Sequence, residues 1–186
     1  MTYFCLFAII LTELHEKRQK NMKVCFIGHR TIRKSKELIS LLKETIVELI
    51  NNGATTFLFG SMSEFDNLAW ETVTALKSKY PFIKRVYVRS AFQNIDKSYE
   101  KYLLELYEET YFPAKLENAG KSSYVERNYE MINSSTCCVF SFDKNYIPTL
   151  PRRYNRNVVI SQRKSGTKIA YNYAVKMNKR IINLYK

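Results

Sequence analysis

Three apolar runs in this chain each end in a small turn from which a helical pattern departs. Lys23–Ile27 runs into Gly28-His29-Arg30, and Thr55–Phe59 into Gly60-Ser61-Met62-Ser63-Glu64. The third, Cys137–Phe142, is completed further on by Ser165-Gly166-Thr167. A buried strand that passes through a small residue into a helix aims backbone N–H groups and a helix N-terminus beyond the sheet edge. That arrangement suits an anion, usually a phosphate. The pattern restricts the chain to an open α/β sheet and makes a nucleotide-like ligand the first expectation. What happens to such a ligand is not encoded in the turns.

The chain has 186 residues, enough for one domain with a full core, and 46% of them are hydrophobic, as in a folded globule. Its formal charge of +13 is unevenly placed. Lys144 to Lys186 holds eleven Lys or Arg and no Asp or Glu, which leaves 13 − 11 = 2 for everything before it. A basic C-terminal quarter attracts phosphorylated ligands, nucleic acid or an anionic partner, and also serves simply as a solvated surface. Cys5, Cys25, Cys137 and Cys138 form no CxxC, and neither histidine stands near them at metal-ligand spacing. Buried thiols in a reducing cytoplasm are the expectation, with no metal and no cofactor required.

Residues 1–21 differ from the rest. Tyr3–Leu11 is apolar but shorter than the about 20 residues a membrane helix needs. It lacks the basic start and small-residue cleavage site of a secretory signal. The segment is expected to lie outside the core, as an amphipathic extension or the product of an upstream start, with Met22 directly before the first strand. Residues 22–186 are then a single domain, with no integral membrane span. A peripheral anchor and a homo-oligomer both remain compatible with the sequence.

Helical periodicity over Ser35–Asn51 follows the first strand, with Ser35 as its cap and Gly53 at its end. A second helix is expected from about Phe65 to Lys79, stopped before Pro81, and then a strand over Ile83–Val88. Asp96–Tyr111 places Tyr99, Leu103, Leu106 and Tyr107 on one helical face. Ser122 or Ser123 is the expected cap of a helix reaching about Asn133, ahead of strand Cys137–Phe142. Lys144–Lys164, with Pro148, Pro151 and four arginines, is a long irregular segment. A helix over Thr167–Asn178 and a strand over Arg180–Leu184 complete the alternation. Strands apolar on both faces call for a mainly parallel, doubly wound Rossmann-like sheet covered by helices on each side.

Candidate binding residues follow from these turns. Gly28 permits close approach of backbone, His29 offers a hydrogen bond or a proton, and Arg30 offers a planar fork for phosphate or carboxylate. Gly60 and Ser61 open the second turn, and Ser63 or Asp66 can cap the helix after it. Glu64 and Asp66 are the candidate catalytic carboxylates, suited either to ribose hydroxyls or to general-base work. Arg127 and Asn128 precede the fourth strand. Ser165, Gly166 and Thr167 form a compact phosphate cradle beside Lys164 and Lys168. GxxxxGK[ST], GxGxxG and GxSxG motifs are all absent from the sequence.

Taken together, Val24-Cys25-Phe26-Ile27-Gly28-His29-Arg30, Gly60-Ser61 ahead of Phe65-Asp66, Tyr124-Val125-Glu126-Arg127-Asn128 with Met131, and Ser165-Gly166-Thr167 before Ala170 and Tyr173-Ala174 resemble the SLOG superfamily. That group includes DprA-type DNA-processing proteins, LOG-type phosphoribohydrolases and a YpsA-like branch, which is the most similar. The resemblance implies strand order 3-2-1-4-5 and a nucleotide or nucleotide-derived ligand at the strands' C-terminal edge. LOG enzymes carry glutamates shortly after their GT, where this chain has Lys168, Ile169 and Ala170. A sensing or sequestering module is therefore the leading expectation. The alternatives are an N-glycosidic hydrolase of nucleoside monophosphates and a single-stranded DNA binder using Tyr146, Tyr154 and Tyr171.

Overall fold

A computed structural model describes residues 21–60, 63–147 and 165–185. The expectations attached to Tyr3–Leu11, Ser61 and the arginine-bearing stretch 148–164 lie outside the described residues. Within them the chain alternates strand and helix: β1 (Met22–Gly28), α1 (Lys36–Asn51), β2 (Ala54–Phe59), α2 (Glu64–Leu76), β3 (Lys84–Val88), α3 (Lys97–Leu106), β4 (Glu109–Tyr111), α4 (Ser123–Ser134), β5 (Cys137–Ser141), α5 (Gly166–Lys176) and β6 (Arg180–Asn183). The strands form one sheet ordered β4-β3-β2-β1-β5-β6, and every neighbouring pair is parallel. The five expected strands keep their expected order, with β4 added at the edge beside β3.

Strand alternation sends successive side chains to opposite faces. Val24 and Phe26 of β1 pack with Leu42, Ile46 and Leu49 of α1 and Phe65, Leu68 and Val73 of α2. Phe26 stacks on Phe57 and Phe59, ring centroids 5.9 and 5.3 Å away, and meets the edge of Phe65. On the other face Cys25 and Ile27 pack with Met131 and Ile132 of α4 and Ala170 and Ala174 of α5. Both faces of the central strands are thus dry, which is what makes them read as continuous apolar runs.

Serine caps fix three helix starts: Leu38, Asp66 and Lys168 donate their backbone N–H to the side chains of Ser35, Ser63 and Ser165 at 3.2, 3.0 and 3.1 Å. The cap expected at Ser122 or Ser123 behaves differently. Ser122 is itself in helical conformation and makes no capping bond, because a 3-10 turn over Gly120–Ser122 feeds directly into α4.

The helical face expected across Asp96–Tyr111 is cut short at Leu106. Glu108 is the physical reason. Its carboxylate accepts from the Arg85 backbone N–H at 2.6 Å and from Arg85 Nη2 at 2.7 Å, while its own N–H donates to the Arg85 carbonyl. Tyr107 leaves the helix extended and stacks on Tyr87 at 5.2 Å. A bidentate pair between buried Arg85 and the partly exposed Glu108 overrides local periodicity, and Glu109–Tyr111 continues as β4.

Since all strands run the same way, each connecting helix returns antiparallel to them. Every helix N-terminus therefore lies at the carboxyl edge of the sheet.

Candidate functional site

The chain winds outward from β1 in both directions, through β2 on one side and β5 on the other. At such a divergence the connections leave to opposite faces and a crevice opens beyond the carboxyl ends. The loops around it are tied to one another. His29 N–H donates to the Ser141 carbonyl, and the Asp143 N–H donates to His29 Nε2 at 3.0 Å, which joins the exits of β1 and β5. The Thr31 and Tyr146 hydroxyls lie 3.1 Å apart, and the Tyr146 ring stacks on His29 at 3.8 Å. Glu64 joins the exits of β1 and β2: its N–H donates to the Arg30 carbonyl, and its carboxylate accepts the Ile32 N–H at 2.9 Å.

Arg127, on α4, ties in the next strand. Its Nη1 donates to the Gly60 carbonyl at 2.7 Å and lies 3.3 Å from the Val88 carbonyl, while Nε donates to Asn128 Oδ1 at 3.0 Å. The guanidinium is buried. Burial lowers its pKa, and the nearby Asp66 carboxylate pulls the other way. Asp66 is itself buried, at the start of α2. Arg127 accordingly braces the ends of β2 and β3, with Asn128 as its immediate support.

Two glycines of the site make room for protein atoms. A Cβ on Gly28 would meet Phe65 Cγ at 2.5 Å, and one on Gly60 would run into the Arg127 guanidinium, with Nη2 at 2.7 Å. Gly166 differs: among the described residues nothing lies within 4 Å of where its Cβ would stand. It opens α5, its neighbour Ser165 is spent on the capping bond, and Thr167 is buried against the protein. Tyr171, one turn further, stacks on Phe142 at 4.5 Å, so α5 begins beside the exit of β5. Arg30, Thr31 and Lys168 are exposed at this edge of the sheet.

His29 is 3% exposed. Burial lowers its pKa, while the backbone hydrogen bond and charge of Asp143 act in the opposite sense. Nε2 lies 3.0 Å from the Asp143 backbone nitrogen and 3.2 Å from its carbonyl oxygen, accepting from the one or donating to the other according to the tautomer, and Nδ1 has no partner among the described residues. Gly28, His29, Arg30, Gly60, Glu64, Asp66, Arg127, Asn128, Ser165, Gly166 and Thr167 are thus brought to one edge. Asp143 and Tyr146 join them as residues the turn pattern does not single out. The only sequence signal at Asp143 is a position just past the strand Cys137–Phe142, whereas Tyr146 is among the aromatics expected to stack on single-stranded DNA. No cluster of His, Cys, Asp or Glu suited to a metal ion is present among the described residues, and no helix among them is long and apolar enough to cross a membrane.

A doubly wound parallel sheet with its loops gathered at the β1/β5 divergence defines a Rossmann-like class. The family comparison narrows it, since the YspA SLOG family model matches residues 20–177. The chain belongs to this SLOG family. No curated protein matches the sequence at a significant level. Among solved structures, DNA processing protein A from Helicobacter pylori, described for its single-stranded DNA binding mode, is similar at 17% identity and a TM-score of 0.48. The match covers 86% of this chain and 63% of that one.

Proposed function

We propose that the protein binds a nucleotide or nucleotide-derived phosphate at the carboxyl edge of its sheet, as a sensing or sequestering module. The observation that carries this reading is Gly166: a first helical residue that no other described residue obstructs, beside the β1/β5 divergence, with Arg30 and Lys168 exposed at the same edge of the sheet. N–H groups of a helix's first turn have no intrahelical acceptor, and the helix dipole favours negative charge there. Binding is favoured over turnover because both candidate carboxylates are engaged. Glu64 holds the Ile32 N–H, and Asp66 lies buried in the field of Arg127.

Denaturing the purified protein and identifying released small molecules by mass spectrometry tests this, together with calorimetric titration of a nucleotide panel. A retained nucleotide, or binding that weakens in Arg30→Ala, is the expected result. No retained ligand and no heat with any member of the panel contradicts it. Release of free base and ribose phosphate from a nucleoside monophosphate, abolished by Glu64→Gln, would replace binding with hydrolysis.

A further inference from the structure

The carboxyl edge has a second half, over β2 and β3, whose character differs from the amide- and cation-rich half beside α5. Phe92, in the loop that leaves β3, is 73% exposed and has φ 57. Only one other non-glycine residue described here has positive φ, Asn178, and asparagine tolerates that region where a bulky aromatic does not. Such strain persists only where the surroundings impose it, and it gathers at ligand clamps.

The imposing residue is Arg89. Its Nη1 donates to the carbonyls of Phe92 and Gln93 at 2.7 and 3.2 Å, and its backbone N–H donates to the Tyr111 carbonyl at 2.9 Å. Gln93 is anchored in turn to Glu117 at 2.7 Å. The loop is therefore braced on three sides while the Phe92 ring stands in solvent.

Other aromatic groups share this half. Tyr99 and Tyr124 sit on the first turns of α3 and α4, 38% and 47% exposed. The Tyr87 hydroxyl of β3 lies within electrostatic reach of both of them and of Arg127 and Arg89. Three strand spacings, about 14 Å, separate β3 from β5, beside which α5 begins, a span comparable with the length of an extended nucleotide.

We infer that Phe92 is a stacking platform for the planar ring of the bound ligand, whose phosphate lies at the α5 end of the same edge. This deepens the proposed function and rests on it. The ligand class it implies is a phosphate ester that carries an aromatic base.

The test titrates AMP and, as a probe without a ring, ribose phosphate into the full chain and into Phe92→Ala, Phe92→Trp and Phe92→Gly. Phe92→Ala is expected to weaken AMP by roughly 5- to 150-fold. It should leave ribose phosphate binding unchanged, and Phe92→Trp should retain AMP. Phe92→Gly removes the ring while accepting the positive φ, so it loses AMP in a chain that melts no lower than the wild type. Unchanged AMP binding in Phe92→Ala, equal loss of both probes, or a shift in oligomeric state with the ring removed overturns the stacking role. A wild-type chain that binds neither probe overturns the site itself.

Discussion

At Gly28 and Gly60 the missing side chains are needed for packing inside the protein. The sequence pattern of strand and small turn identifies both positions, yet the groups that fill the space, Phe65 and Arg127, lie far along the chain and are invisible to any local pattern. Gly28→Ala forces its new Cβ against the root of Phe65, which the α2 backbone holds in place. A loss of about 1–3 kcal/mol is expected, read from urea unfolding midpoints. Gly166→Ala meets no atom and should cost little by the same measurement.

Two titrating groups add a pH dependence with separate windows. His29 is held below its ordinary 6.5 by burial, so the unfolded chain takes up that proton first. Its contribution is complete above about pH 6.5 and is lost as pH falls through that value toward the folded pKa. Burial pushes Glu108 up, but hydrogen bonds from Arg85 and Lys77 outweigh it and hold the carboxyl at about 2 against 4.5. Its contribution is complete above 4.5 and lost as pH falls from there toward 2. Unfolding midpoints followed into acid should show the upper step vanish in His29→Gln and the lower one in Glu108→Gln. Wild-type and His29→Gln curves that run parallel through the upper window would contradict the assignment.

Among the elements, α5 is where stability and binding can be separated. Gly166→Asp places a carboxylate at the positive end of the helix dipole, in open space. Stability should rise by about 0.3–1 kcal/mol, while affinity for a phosphate ligand falls because the new charge occupies the anion's place. Thermal melting and titration with AMP read the two effects, and a variant with unchanged affinity would remove α5 from the site. The start of this helix is legible in Ser165-Gly166-Thr167, as those of α1 and α2 are in Ser35 and Ser63. A short side-chain oxygen three residues ahead of its N–H donor is a local feature. β4 is not legible: its three residues continue the helical face of α3, and only Arg85, brought in by β3, draws Glu108 out of that helix. Phe92 escapes for a similar reason. Arg89 sets its backbone through contacts with β4 and its own loop, so sequence spacing carries no sign of it.

For the whole molecule, the order of the five long strands follows from alternation, dry strand faces and the turns together. Helices that return along a parallel sheet must start at its carboxyl edge, so turns scattered through the sequence meet without any of them encoding the meeting. The opposite edge offers a contrast. A cavity of about 790 Å³ opens near the strand starts, lined by Thr56, Lys84, Glu109 and Glu130 among others. It has no helix N-terminus and mixes both signs of charge, so it is a poor site for phosphate. Mapping the amide chemical shifts of the full chain by NMR as AMP is added distinguishes the two edges in one experiment. The account predicts shifts at Gly28 to Thr31, around Asp143, at Gly166 to Lys168 and in the loop that carries Phe92, with the strand starts unmoved. Shifts confined to Thr56, Lys84 and Glu109, or none anywhere at saturating AMP, would contradict it.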